Sequence, residues 1–276
     1  MAIMRQLREN SGQHNILHKF ASDVTSQFGE DGIIEKIFEI LPESDKWCVE
    51  FGAWDGKKFS NTYNLIANKG WSAVLIEAQA AKFQELLKTY EGNAGAHCIN
   101  KFVEFEGPNS LDNILSETPL PNNFDLLSID VDGTDYHIWQ SVKKYNPKLV
   151  VIEYNPSIPN DIYFIQDPDF NLNHGNSLLA LIELGKTKGY QLISTTNTNG
   201  FFVKAEYYSL FGNLDNSIDH MRNEQPWATK VFQLYDGTMV VAGLNKMIWQ
   251  GIPITNDDIQ VLPKALRRFG DKASKS

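Results

Sequence analysis

The sequence predicts an α/β fold: a doubly wound, mostly parallel sheet whose last strand runs antiparallel. An N-terminal helical segment precedes it and a C-terminal appendage follows. Three observations predict it. Short apolar runs such as "SAVLIEA" and "KLVVIEYN" alternate with amphipathic stretches such as "AAKFQELLKTYEG", as expected when helices cover both faces of a parallel sheet. The run "QLISTTNTNGFFVKAE" reads as two strands about a short polar turn, and a hairpin makes its second strand antiparallel. The composition, 42% hydrophobic and 21% charged over 276 residues, is that of a chain able to bury one large core.

The first forty residues have helical character. "SQFGEDGIIEKIFEIL" places Ile33, Ile34, Ile37, Phe38 and Leu41 at helical spacing, and Pro42 stops the run. "WCVEFGAWDG" is a strand ending in glycines, "SNTYNLIANKG" a helix closed by Gly70, and "SAVLIEA" a second strand. "AAKFQELLKTYEG" is a helix and "GAHCINKFV" a third strand, followed by the short helix "SLDNILSE". "FDLLSID" is a fourth strand, "YHIWQSVKKY" a helix starting at Tyr136, and "KLVVIEYN" a fifth strand. A loop rich in Pro, Asp and Asn covers 155–175, and "NSLLALIELGKTKGY" is the helix before the hairpin. Beyond residue 205 the sequence is aromatic and aperiodic. The expected division is a helical segment over 1–45, a sheet domain over 46–205 and an appendage over 206–276 packed on the sheet.

Net charge is −9, which disfavours sequence-independent nucleic-acid binding, since that relies on basic surface. No run has the length of a membrane span, and the N-terminus lacks the apolar core of a signal peptide. Cys48 and Cys98 lie in apolar runs and read as small buried hydrophobes of a reducing compartment. Cytoplasm is the expected location. The oligomeric state is open, with a homodimer among the options.

In such a sheet a ligand lies outside the carboxyl ends of the strands. The first strand supplies Glu50, Gly52, Asp55 and Gly56 in "EFGAWDG". Glycine lets backbone approach a ligand closely, and an acidic group can accept from a cationic amine. The next strand ends in Glu77, placed to accept both hydroxyls of a ribose. The bland alternative is a tight strand-to-helix turn without ligand. A dinucleotide fold wants G-x-G-x-x-G around a pyrophosphate. Here Asp55 would repel one. S-adenosylmethionine carries an amino group and a sulfonium and has no phosphate, so an acidic loop suits it.

The segments "SQFGEDGII", "VEFGAWDGKKFSNT", "AVLIEA", "LLSIDVDGTDYHIW" and "VVIEYNP" resemble the FkbM-type branch of class I S-adenosylmethionine-dependent methyltransferases. The helix and hairpin extend the resemblance to about residue 203. It implies a Rossmann-like sheet in the order 3-2-1-4-5-7-6. It implies methyl transfer, usually to a hydroxyl of a sugar or other small polyhydroxylated molecule or glycan. One departure is Trp54, which stands where many methyltransferases carry the middle glycine of the loop.

"IDVDGTD" bunches Asp130, Asp132 and Asp135 at the end of the fourth strand. Glu153 and Asn155 lie at the end of the fifth, so oxygens of Asp130, Glu153 and Asn155 are candidate ligands of a hard cation such as Mg²⁺. The Mg²⁺-dependent methyltransferases of catechols and macrolide sugars are similar here, although their second and third ligands are adjacent and Tyr154 separates these two. Asp132 or Asp135 is the alternative third ligand. The rival reading makes Asp132-Gly133 a turn, Asp135 a helix cap, and Asp130 a direct contact to cofactor or acceptor. Asp130 is a candidate catalytic residue in both, and His174, in the loop after the fifth strand, is the favoured proton acceptor over His137. Gln27 of "SQFGED" is a candidate cofactor contact. Trp139, Trp227 and Trp249 read as core aromatics. Two rivals share the fold: a nicotinamide oxidoreductase, disfavoured by the missing phosphate loop, and a non-catalytic binding module, which would tolerate loss of Glu77.

Overall fold

The computed structural model describes residues 16–42, 45–223, 229–247 and 251–268. Residues 1–15, Trp227 and Trp249 lie outside the described residues.

Seven strands form one sheet: β1 (Trp47–Phe51), β2 (Ser72–Ile76), β3 (Ala96–Ile99), β4 (Leu126–Ile129), β5 (Leu149–Glu153), β6 (Tyr190–Thr195) and β7 (Asn199–Lys204). Their order is β3-β2-β1-β4-β5-β7-β6. β1 through β5 pair parallel, and β7 runs antiparallel to both β5 and β6. This is the expected methyltransferase order, and it departs from the 3-2-1-4-5-6 order of dinucleotide folds.

The near-continuous apolar strands feed two cores, because successive side chains point to opposite faces. Val49, Phe51, Val74, Ile76, Leu127, Ile129, Val150 and Ile152 enter one core. Cys48, Ala73, Leu75, Leu126, Leu149 and Val151 enter the other. Six helices cover the faces. α1 (Glu30–Ile40), α2 (Tyr63–Lys69) and α3 (Ala80–Thr89) send Ile33, Ile34, Ile37, Leu65 and Leu86 into the second core. α4 (Leu111–Ser116), α5 (Asp135–Ser141) and α6 (Leu178–Thr187) send Ile114, Ile138, Trp139 and Leu181 into the first. Each fully buried Leu or Ile contributes roughly 1.5–3 kcal/mol. Trp139 is core, as expected. Cys48 and Cys98 are free thiols, and burial pushes Cys98 up to about 11.

Two helical segments differ from expectation. Only a 3-10 turn (Ile16–Phe20) and α1 are helical between residues 16 and 42. The chain between them is a loop held by carboxylates: one Asp31 oxygen accepts the amides of Val24, Thr25 and Ser26, and one Glu30 oxygen accepts those of Gln27 and Phe28. α1 therefore starts at Glu30, after a left-handed Gly29. α5 stops at Ser141 because the amides of Lys143 and Lys144 turn to the Asp112 carboxylate.

Beyond β7, a 3-10 segment (Ala205–Phe211) and α7 (Ile218–Met221) follow. Tyr207, Tyr208 and Phe211 pack against the second core, and Met221 is buried in the first. A separate hairpin then forms from β8 (Thr229–Gln233) and β9 (Met239–Gly243). Its turn carries Asp236-Gly237, the dipeptide that favours such turns. Among the described residues, no helix is long and apolar enough to cross a membrane.

Candidate active site

A cleft of about 750 Å³ opens outside the carboxyl ends of β1, β2, β4 and β5. The strand order reverses between β1 and β4, so the loops that follow them diverge and leave room for a ligand. Gly52 lies at the crossing. Its backbone is left-handed (φ 72°), and a Cβ there would sit 1.9 Å from the Asp130 carbonyl oxygen. Only glycine lets the two loops meet.

Glu77, at the end of β2, ties the first two loops together. One carboxylate oxygen accepts the Trp54 amide at 2.9 Å and the other accepts the Gln79 amide at 2.6 Å. The residue is buried yet lines the cleft. A carboxylate has about four lone-pair sites, so acceptor capacity remains for a ligand's hydroxyls.

The other candidates from the first loop divide. Glu50 lines the cleft, but its oxygens already accept from the Asn61 amide at 2.9 Å and from the hydroxyls of Ser60 at 2.6 Å and Thr62 at 2.7 Å. Burial raises its pKa despite these three bonds. Asp55 and Gly56 do not belong to the cleft wall. Asp55 accepts the amides of Lys57 and Lys58, which closes the turn. Gly56 packs under α3: a Cβ would meet Leu86 at 2.5 Å, and Tyr90 donates to its carbonyl at 2.8 Å. Gln27 is exposed and lines the cleft.

At the foot of the cleft, carboxylate oxygens of Asp130, Asp132 and Glu153 lie within 4.8 Å of one another. Glu153 is 9% exposed, and its carboxylate makes no hydrogen bond among the described residues. Asp130 is half-buried and lines the cleft. Burial, then the neighbouring carboxylates, push Asp130 and Glu153 well above the usual range. Burial raises Asp132 as well.

Asp135 does not join them. It accepts the amides of Val131 at 3.0 Å and Gly133 at 2.9 Å, holding the turn into α5, and burial pushes it up to about 6. Asp132 occupies that turn with a left-handed backbone (φ 57°). Asp135 thus organises the loop without capping α5, whose N-cap residue is Thr134, and Asp132 faces the carboxylate pair.

Asn155 is not brought to the cluster. Continued strand alternation would place it on the same face as Glu153, but β5 ends at Glu153. Asn155 then turns into the loop, where its Oδ1 accepts from Ser157 and its Nδ2 donates to the His174 carbonyl. His174 itself is exposed, and its neighbour Asn173 takes the place on the cleft wall. His137 points elsewhere, its Nε2 lying 2.8 Å from the Gln166 carbonyl.

Several organising residues gave no local sequence signal. Gln166 threads the loop after β5, accepting the amides of His174 and Gly175 and donating to Leu172. Arg222 is 4% exposed and donates to the carbonyls of Pro156 and Ile158 and to Asn160 Oδ1. Glu30 reaches from α1 to Thr196 Oγ1 at 2.6 Å, fixing the β6–β7 turn. An aromatic wall was missed too. Phe170 from the loop stacks on Phe105 and meets Phe102 edge-on, with centroids at 4.4 and 4.8 Å.

No family model and no curated protein matches the sequence. Among solved structures the chain is similar to the following three. The carbon methyltransferase CurJ is 10% identical, with 63% of this chain and 52% of that one covered and a TM-score of 0.42. The CMeT domain of the citrinin polyketide synthase is 12% identical, with 63% and 51% covered and a TM-score of 0.43. This chain thus spans about half the length of those two. The N-terminal domain of EvdMO1, with SAH bound, is 12% identical, with 73% and 94% covered and a TM-score of 0.41.

Proposed function

We propose that this chain is an S-adenosylmethionine-dependent O-methyltransferase of the FkbM-type branch. Its acceptor is a hydroxyl of a small polyhydroxylated molecule or glycan. The observation that carries this reading is the position of Glu77: a buried carboxylate at the end of β2, open to the cleft and with acceptor capacity to spare. That position suits a ribose. The loop after β1 argues against a dinucleotide. Asp55 already takes two of its amides, the donors a pyrophosphate would need. The sheet order points the same way.

The acceptor belongs at the foot of the cleft. Its hydroxyl must lose a proton as the sulfonium methyl is displaced. Asp130 is the group at hand, fixed at the end of β4 and open to the cleft. His174 is not on the wall, so Asp130 takes the proton-accepting role.

An oxygen-only set suits a hard cation, and among the described residues the buried Glu153 carboxylate has neither a hydrogen bond nor an ion pair. Asp130, Asp132 and Glu153 are therefore the residues that would hold Mg²⁺, in place of the set with Asn155. A cation there would bind the acceptor hydroxyl and make it more acidic.

Calorimetric titration with S-adenosylmethionine, S-adenosylhomocysteine and NAD tests the reading. Binding of the first two and not the third is expected. Binding of NAD alone would overturn it.

A further inference from the structure

Among the described residues, four other than glycine have a left-handed backbone: Lys46, Trp54, Phe59 and Asp132. Such a backbone costs a residue with a Cβ roughly 1–2 kcal/mol. Strain of this kind persists where surrounding structure over-determines it, and it concentrates at ligand clamps. Three of the four, Trp54, Phe59 and Asp132, line the cleft. Asp132 is already placed with the carboxylates. The other two are large aromatics on the loop after β1, where their rings meet water: Trp54 is 40% exposed and Phe59 52%.

Their aim is fixed. The Trp54 amide is held by Glu77, and the loop ends on Ser60 and Asn61, which bind Glu50. Both anchors are strand-end carboxylates, so the backbone that carries the two rings cannot move away without breaking these bonds. A lysine ammonium sits over each ring, Lys82 at 4.6 Å from the Trp54 centroid and Lys58 at 5.0 Å from that of Phe59. Each ring thus has a cation over it and also borders the cleft.

We propose that Trp54 and Phe59 are the two jaws of an aromatic clamp on the bound cofactor, with Trp54 closing on its nucleoside half. Trp54 is assigned the nucleoside because its own amide is bonded to the carboxylate that would take the ribose. The clamp rests on the function proposed above and assigns two residues to it. It also gives the departure at Trp54 a role: the ring adds contact where a glycine would only make room.

The test is titration of S-adenosylhomocysteine and of adenosine into the full chain and into Trp54→Ala, Trp54→Phe and Phe59→Ala. Alanine keeps the cost of the left-handed backbone and removes the ring. Base–aromatic stacking sets the scale. S-adenosylhomocysteine should bind about tenfold more weakly to both alanine variants, and adenosine about tenfold more weakly to Trp54→Ala. Trp54→Phe should stay within about threefold of wild type. Tryptophan emission gives a second readout should an alanine variant fail to fold. It should change when wild type takes up S-adenosylhomocysteine and stay flat when Trp54→Phe does. Unchanged affinity in folded alanine variants, or an emission change that survives in Trp54→Phe, overturns the clamp. Failure of wild type to bind S-adenosylhomocysteine at all would instead sink the proposed function and the clamp with it.

Discussion

Asp130, the residue after β4, and Glu153, the last residue of the neighbouring β5, bring carboxylate oxygens within 4.8 Å of each other at the foot of the cleft. Two carboxylates at that separation repel, and burial raises both pKa values. Perturbed carboxylates that meet in a cleft mark it as a candidate functional site.

Asp130→Asn should leave S-adenosylmethionine affinity within a few fold, because Glu77 and the first loop hold the cofactor. The transfer rate should fall by about 10² or more, the usual loss when one positioned polar group is removed. EDTA tests the cation separately: it should abolish turnover, and Mg²⁺ should restore it. A fully active Asp130→Asn enzyme sinks the catalytic role, whereas full activity in EDTA sinks only the metal.

Glu50 gives a pH signature of stability. Its folded pKa is raised above the unfolded one by burial. The protonated form is therefore favoured in the folded state. Its stabilisation is complete below the ordinary carboxylate range and is lost as pH rises through the folded value. Glu50→Gln, which stays neutral, should match wild type in melting temperature below the ordinary carboxylate range, gain on it as pH rises toward the raised folded value, and hold a constant advantage above it. A difference that does not vary with pH would contradict the assignment.

Gly52 and Gly70 share a left-handed backbone, with φ of 72° and 70°, and differ in their surroundings. Nothing lies within 4 Å of a Cβ built on Gly70, whereas one on Gly52 strikes the Asp130 carbonyl. Gly70→Ala should cost about 1 kcal/mol in urea unfolding. Gly52→Ala should cost on the order of 3 kcal/mol or more, the range of real steric conflicts. Equal costs would mean the loops can part without penalty.

Arg222 joins the chain after the sheet to the loop that follows β5. Its removal strands the carbonyls of Pro156 and Ile158 and the Asn160 side chain, at about 1–3 kcal/mol for each unmet buried group. Arg222→Ala should lose roughly 3 kcal/mol or more by denaturant unfolding. Arg222→Lys should recover little of it, since one ammonium cannot reproduce the guanidinium fork. A loss below about 1 kcal/mol would show that the loop stands without it.

The sheet was legible because its strands are buried on both faces and read as unbroken apolar runs such as "LVVIE". The hairpin was legible from its short polar turn. Carboxylates at strand ends were legible as a group, since parallel neighbours end side by side. Their division of labour was not. Whether Asp55, Asp132, Asp135 or Asn155 faces ligand or loop depends on which backbone amides fold back to it, and those bonds form only once the turns exist. Long-range partners were hidden for a similar reason: Glu30 and Thr196 are 166 residues apart, and Arg222 acts 62 to 66 residues from its acceptors. The β8–β9 hairpin was the avoidable miss, because Asp236-Gly237 between apolar runs is a turn signal in its own right.

The central claim is a nucleoside site at Glu77, and the measurement closest to it is the dissociation constant of S-adenosylhomocysteine for wild type and Glu77→Ala, with thermal unfolding of both. Hydrogen bonds to a charged group are worth about 1.5–3 kcal/mol each, so loss of one ribose contact should weaken binding about 10- to 100-fold. Glu77 also holds the Trp54 and Gln79 amides, so a lowered melting temperature is expected, with the cooperative transition retained. Weakened binding by a variant that still unfolds cooperatively is the predicted result. Unchanged affinity in that folded variant would contradict the account.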